Sequence, residues 1–413
     1  MQREPAAAAP GYPGLRPLGP APRFEGNPVS LLNSRIVRVL VMAGLAALGL
    51  AGCSFGPAPG ETATTTAAAP LAVRGVDASF LPEVLQGGAE FRDRGALEDP
   101  LHLYMRNGVN TVRLRLWFTP PDGRNALLPM LELARAAARY DLALLLDIHY
   151  SDTWADPSHQ TKPLPWRDMT GPTLQNAVRE YTRDTIRAFN DQGTPPAYVQ
   201  LGNEIGHGFL WDDGRVEPGR DANWIGLAEL LKAAAAGVKE AAPPGAAAPP
   251  GPRIILHIEN GADNAFCREF FDRVQLFGVP YDIIGLSYYP WWHGRLEDLQ
   301  WNLNDLATRY DRPVLLCETA YPWTLQWADN THNVVGREDQ LLPAFPANPD
   351  GQADFIRRVR QIVSEVPGGR GLGLVYWGAD DVSVPPEGSA WENMTLFGPE
   401  GGVLPALRVL GRR

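Results

Sequence analysis

Cysteine is scarce in this chain, with three residues among 413, at positions 53, 267 and 317. Isolated cysteines do not make the disulfide framework of a small secreted domain. Cys317 lies within an apolar, strand-like run. We expect a buried free thiol there rather than a redox group.

Positive charge is also scarce, because 37 Lys and Arg stand against 47 Asp and Glu, for a formal net charge of −10. No dense basic run is present. This composition argues against nucleic acid as a partner and favours a neutral or uncharged substrate. Hydrophobic residues make up 45% of the chain and charged residues 20%, as in a globular domain with a full core.

The N-terminal apolar run Val39–Leu50 is shorter than the ~20 residues of a transmembrane helix, which disfavours a plain membrane anchor. Arg35 and Arg38 precede this run, and Leu50-Ala51-Gly52-Cys53 ends it. A charged region, a short apolar region and small residues before a cysteine resemble a bacterial lipoprotein signal.

Three segments follow from this resemblance. We predict a leader and lipoprotein signal peptide over residues 1–52 and a flexible tether, rich in Ala, Thr and Pro, over residues 53–70. Residues 71–413 then form the folded domain. We expect an exported protein that a lipid on Cys53 holds at the cell envelope, or that is otherwise secreted.

From residue 71 onward, short apolar runs of strand type alternate with longer helix-like segments. The eight runs are Ala72–Asp77, Asn110–Trp117, Leu142–His149, Ala197–Asn203, Arg253–Glu259, Asp282–Tyr288, Pro313–Glu318 and Gly371–Trp377. This alternation predicts an α/β fold, a single (β/α)8 TIM barrel. A doubly wound open sheet is the alternative, but no G-x-G-x-x-G motif supports its dinucleotide-binding form.

Polar and aromatic residues concentrate where these apolar runs end. In a barrel, the carboxyl ends of the strands share one rim, where sites are built. We therefore expect one site that contains Arg115, Trp117, Asp147, His149, Asn203, Glu204, Ser287, Tyr288, Glu318 and Trp377.

Two of these residues are glutamates, Glu204 after the fourth run and Glu318 at the end of the seventh. Hydrolysis of a glycosidic bond needs an acid to protonate the leaving oxygen, and Asn203 can hold the sugar 2-hydroxyl beside it. On one rim the carboxyls could lie about 5 Å apart, the spacing for a covalent glycosyl-enzyme and retention of configuration. The alternative for Glu204 is a surface glutamate that caps the next helix.

Residues 72–410 resemble glycoside hydrolase family 53, the arabinogalactan endo-β-1,4-galactanases, within a clan of retaining barrels. The matching segments are Gly108–Trp117, Asp147–Pro157, Gln160–Pro163, Ile284–Pro290, Glu318–Trp323 and Trp391–Asn393. The resemblance implies that Glu204 is the acid/base and Glu318 the nucleophile. The implied substrate is pectic galactan or type I arabinogalactan, and no cofactor is required for catalysis.

Substrate-binding roles are predicted for the remaining rim residues. Arg115 and Tyr288 are expected to stabilise an ionised Glu318, by charge and by a phenolic hydrogen bond. Asp147 and His149 alternate on one strand and are expected to bind sugar hydroxyls. Asn203, Ser287 and the stacking residues Trp377 and Trp391 complete the predicted binding set.

Metal sites are predicted at one place only. His149 and His257 lack a third ligand at standard spacing, which argues against a catalytic metal. Some relatives hold a structural calcium ion in the loop after the seventh strand, and Asp329 and Asn333 are the first candidate ligands here.

Two other functions remain open. One is another retaining β-glycanase of the same clan, such as a mannanase or xylanase. The other is a polysaccharide-binding lipoprotein without turnover. The enzyme is expected to be a monomer.

Overall fold

A computed structural model describes residues 71–217, 223–242, 251–386 and 388–413. The predicted signal peptide, the tether and Cys53 lie outside these residues and stay predictions. Within the described ranges, no helix is long and apolar enough to cross a membrane.

Eight parallel strands close into a barrel in the order of the chain, and β1 pairs with β8 to complete it. They are β1 Val73–Asp77, β2 Thr111–Leu116, β3 Ala143–Ile148, β4 Tyr198–Leu201, β5 Arg253–Ile258, β6 Ile283–Ser287, β7 Val314–Thr319 and β8 Gly371–Tyr376. The predicted (β/α)8 barrel is confirmed, and each strand falls within its predicted run except β7, which extends one residue further, to Thr319.

A helix follows each strand and packs on the outside of the barrel. The helices are α1 Pro100–Arg106, α2 Leu127–Ala138, α3 Gly171–Asp191, α4 Trp224–Glu240, α5 Asn264–Leu276, α6 Leu296–Tyr310, α7 Pro349–Ser364 and α8 Pro405–Leu410. Shorter elements lie in the loops: helices Leu81–Gln86 and Pro290–His293, and two-stranded hairpins Arg92–Asp93 with Ala96–Leu97 and Gly208–Phe209 with Gly214–Arg215.

The alternation of side chains along the strands divides the core into two layers. One layer lies between strands and helices, as Leu144 and Leu146 on β3 illustrate. The other fills the barrel and consists of Val73, Leu145, Ile255, Ile283, Leu315, Cys317 and Val375. Cys267 and Cys317 are both buried free thiols, which confirms the prediction for Cys317.

Strand β7 departs from regular alternation at Cys317. On the β6 side Leu286 pairs with Leu316, yet Ser287 pairs with Glu318, so Cys317 is an extra residue. Such a bulge re-aims the side chain that follows it. Cys317 can therefore fill the barrel while its neighbour Glu318 also faces inward, at the barrel mouth.

Candidate active site

The carboxyl ends of the strands meet at one mouth of the barrel, and Arg113 on β2 connects several of them. Arg113 is fully buried. Its Nη1 lies 2.9 Å from Asp77 Oδ2 and 2.9 Å from Glu318 Oε1. Its Nη2 donates to Asp147 Oδ2 and Asn203 Oδ1, both at 2.8 Å. One guanidinium thus orders side chains from four other strand ends.

Both carboxylate oxygens of Glu318 have a polar partner. Oε1 pairs with the Arg113 guanidinium, and Oε2 accepts a hydrogen bond from the hydroxyl of Tyr289 at 2.9 Å. A cation and a hydroxyl donor both favour the ionised form of a carboxyl group. Both partners therefore favour the ionised form of Glu318, which is the form that a nucleophile needs.

Arg115 does not contact Glu318, contrary to the sequence-based prediction. It lies one pleat further along β2 than Arg113 and places its guanidinium carbon 3.9 Å from the centroid of the Trp154 ring. Its Nε and Nη1 are buried and have no hydrogen-bond partner among the described residues. The side chain is therefore in a cation–π contact, and Arg113 provides the charge beside Glu318.

Tyr288 was also predicted to bind Glu318, and this is wrong. Its hydroxyl donates to the carbonyl of Gly294 at 2.8 Å. Successive residues of an extended chain point to opposite sides, so Tyr289, two residues after Ser287, shares the side that faces the site. The phenolic hydrogen bond exists, but its donor is the next residue in the chain.

Glu204 follows β4 in the left-handed conformation, with φ 48° and ψ 54°. Its Oε1 accepts a hydrogen bond from the Ser287 hydroxyl at 2.7 Å. Gln160, from the loop after β3, donates to the carbonyl of Asn203 at 2.8 Å and fixes the backbone before Glu204. Residues in such conformations cluster at functional sites, where the surroundings hold them in place.

The end of β6 contacts both glutamates. Ser287 binds Glu204, and Tyr289 binds Glu318. Ser287 is also the register partner of Glu318, and His257 Nε2 lies 2.9 Å from Ser287 Oγ. Ser287 and Tyr289 thus each hold one of the two carboxyl groups, which brings both glutamates to the end of β6.

Burial raises the pKa of both glutamates, but their neighbours differ. Burial, followed by the negative charges of Glu318 and Glu259, holds the pKa of Glu204 well above its usual range. Burial raises the pKa of Glu318 to about 7, and Arg113 and the Tyr289 hydroxyl oppose that rise. Glu318 therefore ionises first, and Glu204 keeps its proton, as an acid and nucleophile pair requires.

Asp147, His149 and Asn203 come together beneath this pair. His149 Nδ1 accepts from Trp117 Nε1 at 3.3 Å and from the Ala155 N–H at 3.2 Å, so Nε2 carries the proton. Nε2 donates to Asp147 Oδ2 at 2.9 Å. Asn203 Nδ2 donates to the Ala155 carbonyl at 2.8 Å. Because protein groups engage all three side chains, direct contact with a sugar stays a prediction.

A row of indole rings borders the mouth, and we call Trp154, Trp377, Trp391, Trp291 and Trp292 the aromatic rim. Adjacent rings are 5.9 Å apart between Trp154 and Trp377, and 6.1 Å apart between Trp377 and Trp391. Trp391 in turn lies 6.4 Å from Trp291. Trp377 is 6% exposed, whereas Trp292 is 47% exposed, so the outer rings are more open to a bound chain.

The loop after β7 carries the predicted calcium ligands, Asp329 and Asn333. Asp329 Oδ2 accepts a hydrogen bond from the Ser389 N–H at 2.9 Å. Burial, followed by the negative charge of Asp329, raises the pKa of Glu392. Asn333 Oδ1 and Glu392 Oε2 are buried and have no partner among the described residues. Such oxygens fit a hard cation in kind. The described ranges, however, contain no group of three or more His, Cys, Asp or Glu that could hold a metal.

Comparison with known proteins places this site in a family. The sequence profile of Glycosyl hydrolase family 53 matches residues 73–410. The chain belongs to family 53. An arabinogalactan endo-β-1,4-galactanase of Thermothelomyces thermophilus is 33% identical, over 83% of this chain and 99% of that protein. A Niallia circulans protein is 42% identical, over 82% and 93%.

The solved family 53 catalytic domain of Ignisphaera aggregans superposes with a TM-score of 0.76. It is 37% identical and covers 82% of this chain and 95% of that domain. A xylanase of Cellvibrio japonicus, at 17% identity and a TM-score of 0.51, shares the fold alone. The family 53 membership predicted from the sequence is confirmed.

Sequence reasoning missed several residues of this family 53 site. Arg113, Tyr289 and Glu259 were not predicted to belong to it. Side chains two residues apart on a strand point to the same side, an argument that was used for Asp147 and His149 on β3. Applied to β2, it would have found Arg113 together with Arg115. The predicted run ended at Tyr288, so Tyr289, the next residue after Ser287 that faces the site, was left outside it.

Proposed function

We propose that this protein is an endo-β-1,4-galactanase that hydrolyses galactan or arabinogalactan with retention of configuration. The observation that carries the proposal is the unequal environment of two adjacent carboxyls, Glu318 beside a buried arginine and Glu204 beside other acids. The galactanase names of the family 53 relatives support the choice of substrate.

In the proposed first step, the Glu318 carboxylate attacks the anomeric carbon as the glycosidic C–O bond breaks. Glu204 gives its proton to the leaving oxygen at the same time. In the second step, Glu204 takes a proton from water, the water oxygen bonds to the anomeric carbon, and Glu318 leaves. Two inversions at one carbon give net retention.

The aromatic rim supports a polymeric substrate. Flat indole rings suit the CH-rich face of galactose, and the rim extends from Trp154 past Trp377 to Trp391. A chain that crosses this row has several sugars in contact, which favours cleavage within the polymer. Catalysis in family 53 is independent of a cofactor, so the two carboxyls carry out the chemistry.

Two glutamine variants test the assignment. Glu318→Gln is expected to abolish turnover while galactan binding persists, since the covalent route is lost. Glu204→Gln is expected to lose about 10²–10⁴-fold in kcat on galactan. Glu132→Gln, at an exposed position on α2, is the matched control. Unchanged turnover in Glu318→Gln would refute the nucleophile assignment.

A panel of polysaccharides tests the substrate. Reducing-sugar release from linear β-1,4-galactan, and not from mannan or xylan, is expected, with a ladder of short oligosaccharides. NMR of the first product should show the β-anomer. Binding without release of reducing ends would instead favour a non-catalytic polysaccharide-binding protein.

Export and anchoring are proposed from the N-terminal sequence alone. We expect cleavage before Cys53, a lipid on that cysteine, and a monomeric enzyme at the cell envelope. Labelling with a radioactive fatty acid, with Cys53→Ser as the control, tests the anchor. An unlabelled wild-type protein in the medium would indicate plain secretion.

A structural calcium ion in the loop after β7 is a further part of the proposal. Asp329, Asn333 and Glu392 would supply oxygen ligands and tie this loop to the segment after β8. A chelator is then expected to lower the Tm, and added Ca2+ to restore it. An equal Tm with and without chelator would remove calcium from the proposal.

A further inference from the structure

A third carboxyl group, Glu259, lies beside the proposed acid/base at the end of β5. It is 3% exposed. Its Oε2 accepts the backbone N–H of Gly206 at 3.1 Å, and His207 Nε2 lies 3.7 Å from its Oε1. Oε1 has no hydrogen-bond partner among the described residues. A buried, half-satisfied carboxyl is unfavourable for folding, so a role in the site would account for its presence.

The contact of Glu259 is with the turn that carries Glu204. The left-handed Glu204 begins the single helical turn Ile205–His207. A Cβ atom added to Gly206 would lie 2.4 Å from Phe266 Cζ and 2.7 Å from each carboxylate oxygen of Glu259, so the lack of a side chain at Gly206 permits this close approach. The carboxylate of Glu259 therefore fits against the backbone of the turn that follows the acid/base.

We propose that Glu259 is a positioning residue for Glu204: its bond to Gly206 fixes the turn that aims Glu204, and its charge opposes loss of the Glu204 proton. The inference rests on the proposed role of Glu204 as acid/base.

The surrounding charges support this role. Glu318 from β7 and Asp156 from the loop after β3 also face Glu204 and act in the same direction as Glu259. Asp156 acts on Glu259 as well. Burial lowers the pKa of His207, so this imidazole is neutral near pH 7 and leaves the charge of Glu259 uncancelled.

Burial raises the pKa of Glu259 itself to about 7, against the effect of the Gly206 N–H. Glu259 is therefore neutral at acidic pH and becomes negative as the pH rises. This negative charge disfavours ionisation of Glu204, which moves the loss of the Glu204 proton to higher pH. The expected consequence concerns the alkaline limb of the pH–activity profile. It should lie at higher pH than the charge of Glu318 alone would place it.

The test is the pH profile of kcat on linear β-1,4-galactan for the full chain and Glu259→Gln. The amide keeps an oxygen for the Gly206 N–H and removes only the charge. We expect the alkaline limb to move about half a pH unit or more toward acid, with KM little changed. Glu132→Gln should leave the profile unaltered. An unmoved alkaline limb in folded Glu259→Gln would overturn the inference.

A second variant covers the case in which Glu259→Gln does not fold. In Gly206→Ala the new methyl group displaces both the Phe266 ring and the carboxylate of Glu259. The displaced carboxylate should give the same acidward shift of the alkaline limb with a lower kcat. A lower Tm with an unmoved limb counts against the inference. Full galactan turnover in Glu204→Gln would instead overturn the acid/base assignment, whatever Glu259→Gln does. The two failures are therefore distinguishable.

Discussion

Replacement of Arg113 by lysine keeps one buried positive charge but removes the guanidinium fork. Arginine presents five N–H donors in a plane and lysine three on a single nitrogen. The three guanidinium nitrogens of Arg113 contact Asp77, Glu318, Asp147, Asn203 and Gln200. Asp147 Oδ2 and Asn203 Oδ1 keep other donors, His149 Nε2 and Gln200 Nε2. The single nitrogen of an ammonium group cannot serve both Gln200 on the Nε side and Asp77 and Glu318 on the Nη1 side. At least one buried acceptor therefore loses its donor.

The loss can be estimated from those contacts. A buried acceptor left unsatisfied costs about 1–3 kcal/mol, which is the expected loss for one such acceptor. A domain is stable by about 5–15 kcal/mol, so Arg113→Lys is expected to fold with a clearly lower Tm. Weaker pairing with Glu318 should raise the pKa of that carboxyl by about 1 unit, at the low end of the effect of a nearby charge.

The expected activity follows from the sign of that shift. Glu318 must be ionised to attack, so the acid limb of kcat/KM moves to higher pH, and the rate below that limb falls about 10-fold. Urea denaturation measures the stability, and initial rates on galactan at several pH values measure the limb. Arg115→Lys, a change at the buried arginine one pleat away, is the control and should leave the acid limb in place. A wild-type acid limb in folded Arg113→Lys would refute this reasoning.

Two further substitutions test the same geometry. Tyr289→Phe removes the hydroxyl that donates to Glu318. The acid limb should therefore move to higher pH, and kcat should fall about 10-fold, within the effect of one lost donor to a charged group. Tyr288→Phe should leave the acid limb unmoved, and equal pH profiles for the two variants would contradict the assignment. Gly285→Ala places a methyl group 2.7 Å from Cys317 Sγ. Calorimetry should therefore show a loss of stability of about 1–3 kcal/mol from overpacking. An unchanged Tm would show that the barrel interior can accommodate the extra methyl group.

Much of the fold was predictable because it depends on patterns that are local in the chain. Apolar runs of strand length that alternate with helical segments predict a parallel sheet covered by helices, and eight such units match a closed barrel. The same patterns predicted which residues reach the mouth, because the carboxyl end of each strand must lie there. Glu204 and Glu318 were predicted on this basis together with the family motifs.

The partners of these residues were less predictable. The bulge at Cys317 is not visible as a pattern, yet it turns Glu318 toward Arg113. Two adjacent tyrosines look alike in the sequence, and only the path of the chain after β6 assigns the hydroxyl of Tyr289 to Glu318. Likewise, the position of Glu259 beside Gly206 results from the meeting of two loops 53 residues apart.

The sequence by itself thus determined the class of fold and the family and pointed to two candidate carboxyl groups, since periodicity and strand ends are properties of contiguous residues. Tertiary structure alone decided which carboxyl group has a cation beside it and which has other acids. A pKa depends on burial and on charges within a few ångströms, and residues far apart in the chain supply those charges. The chemistry that separates an acid from a nucleophile is therefore a property of the folded barrel.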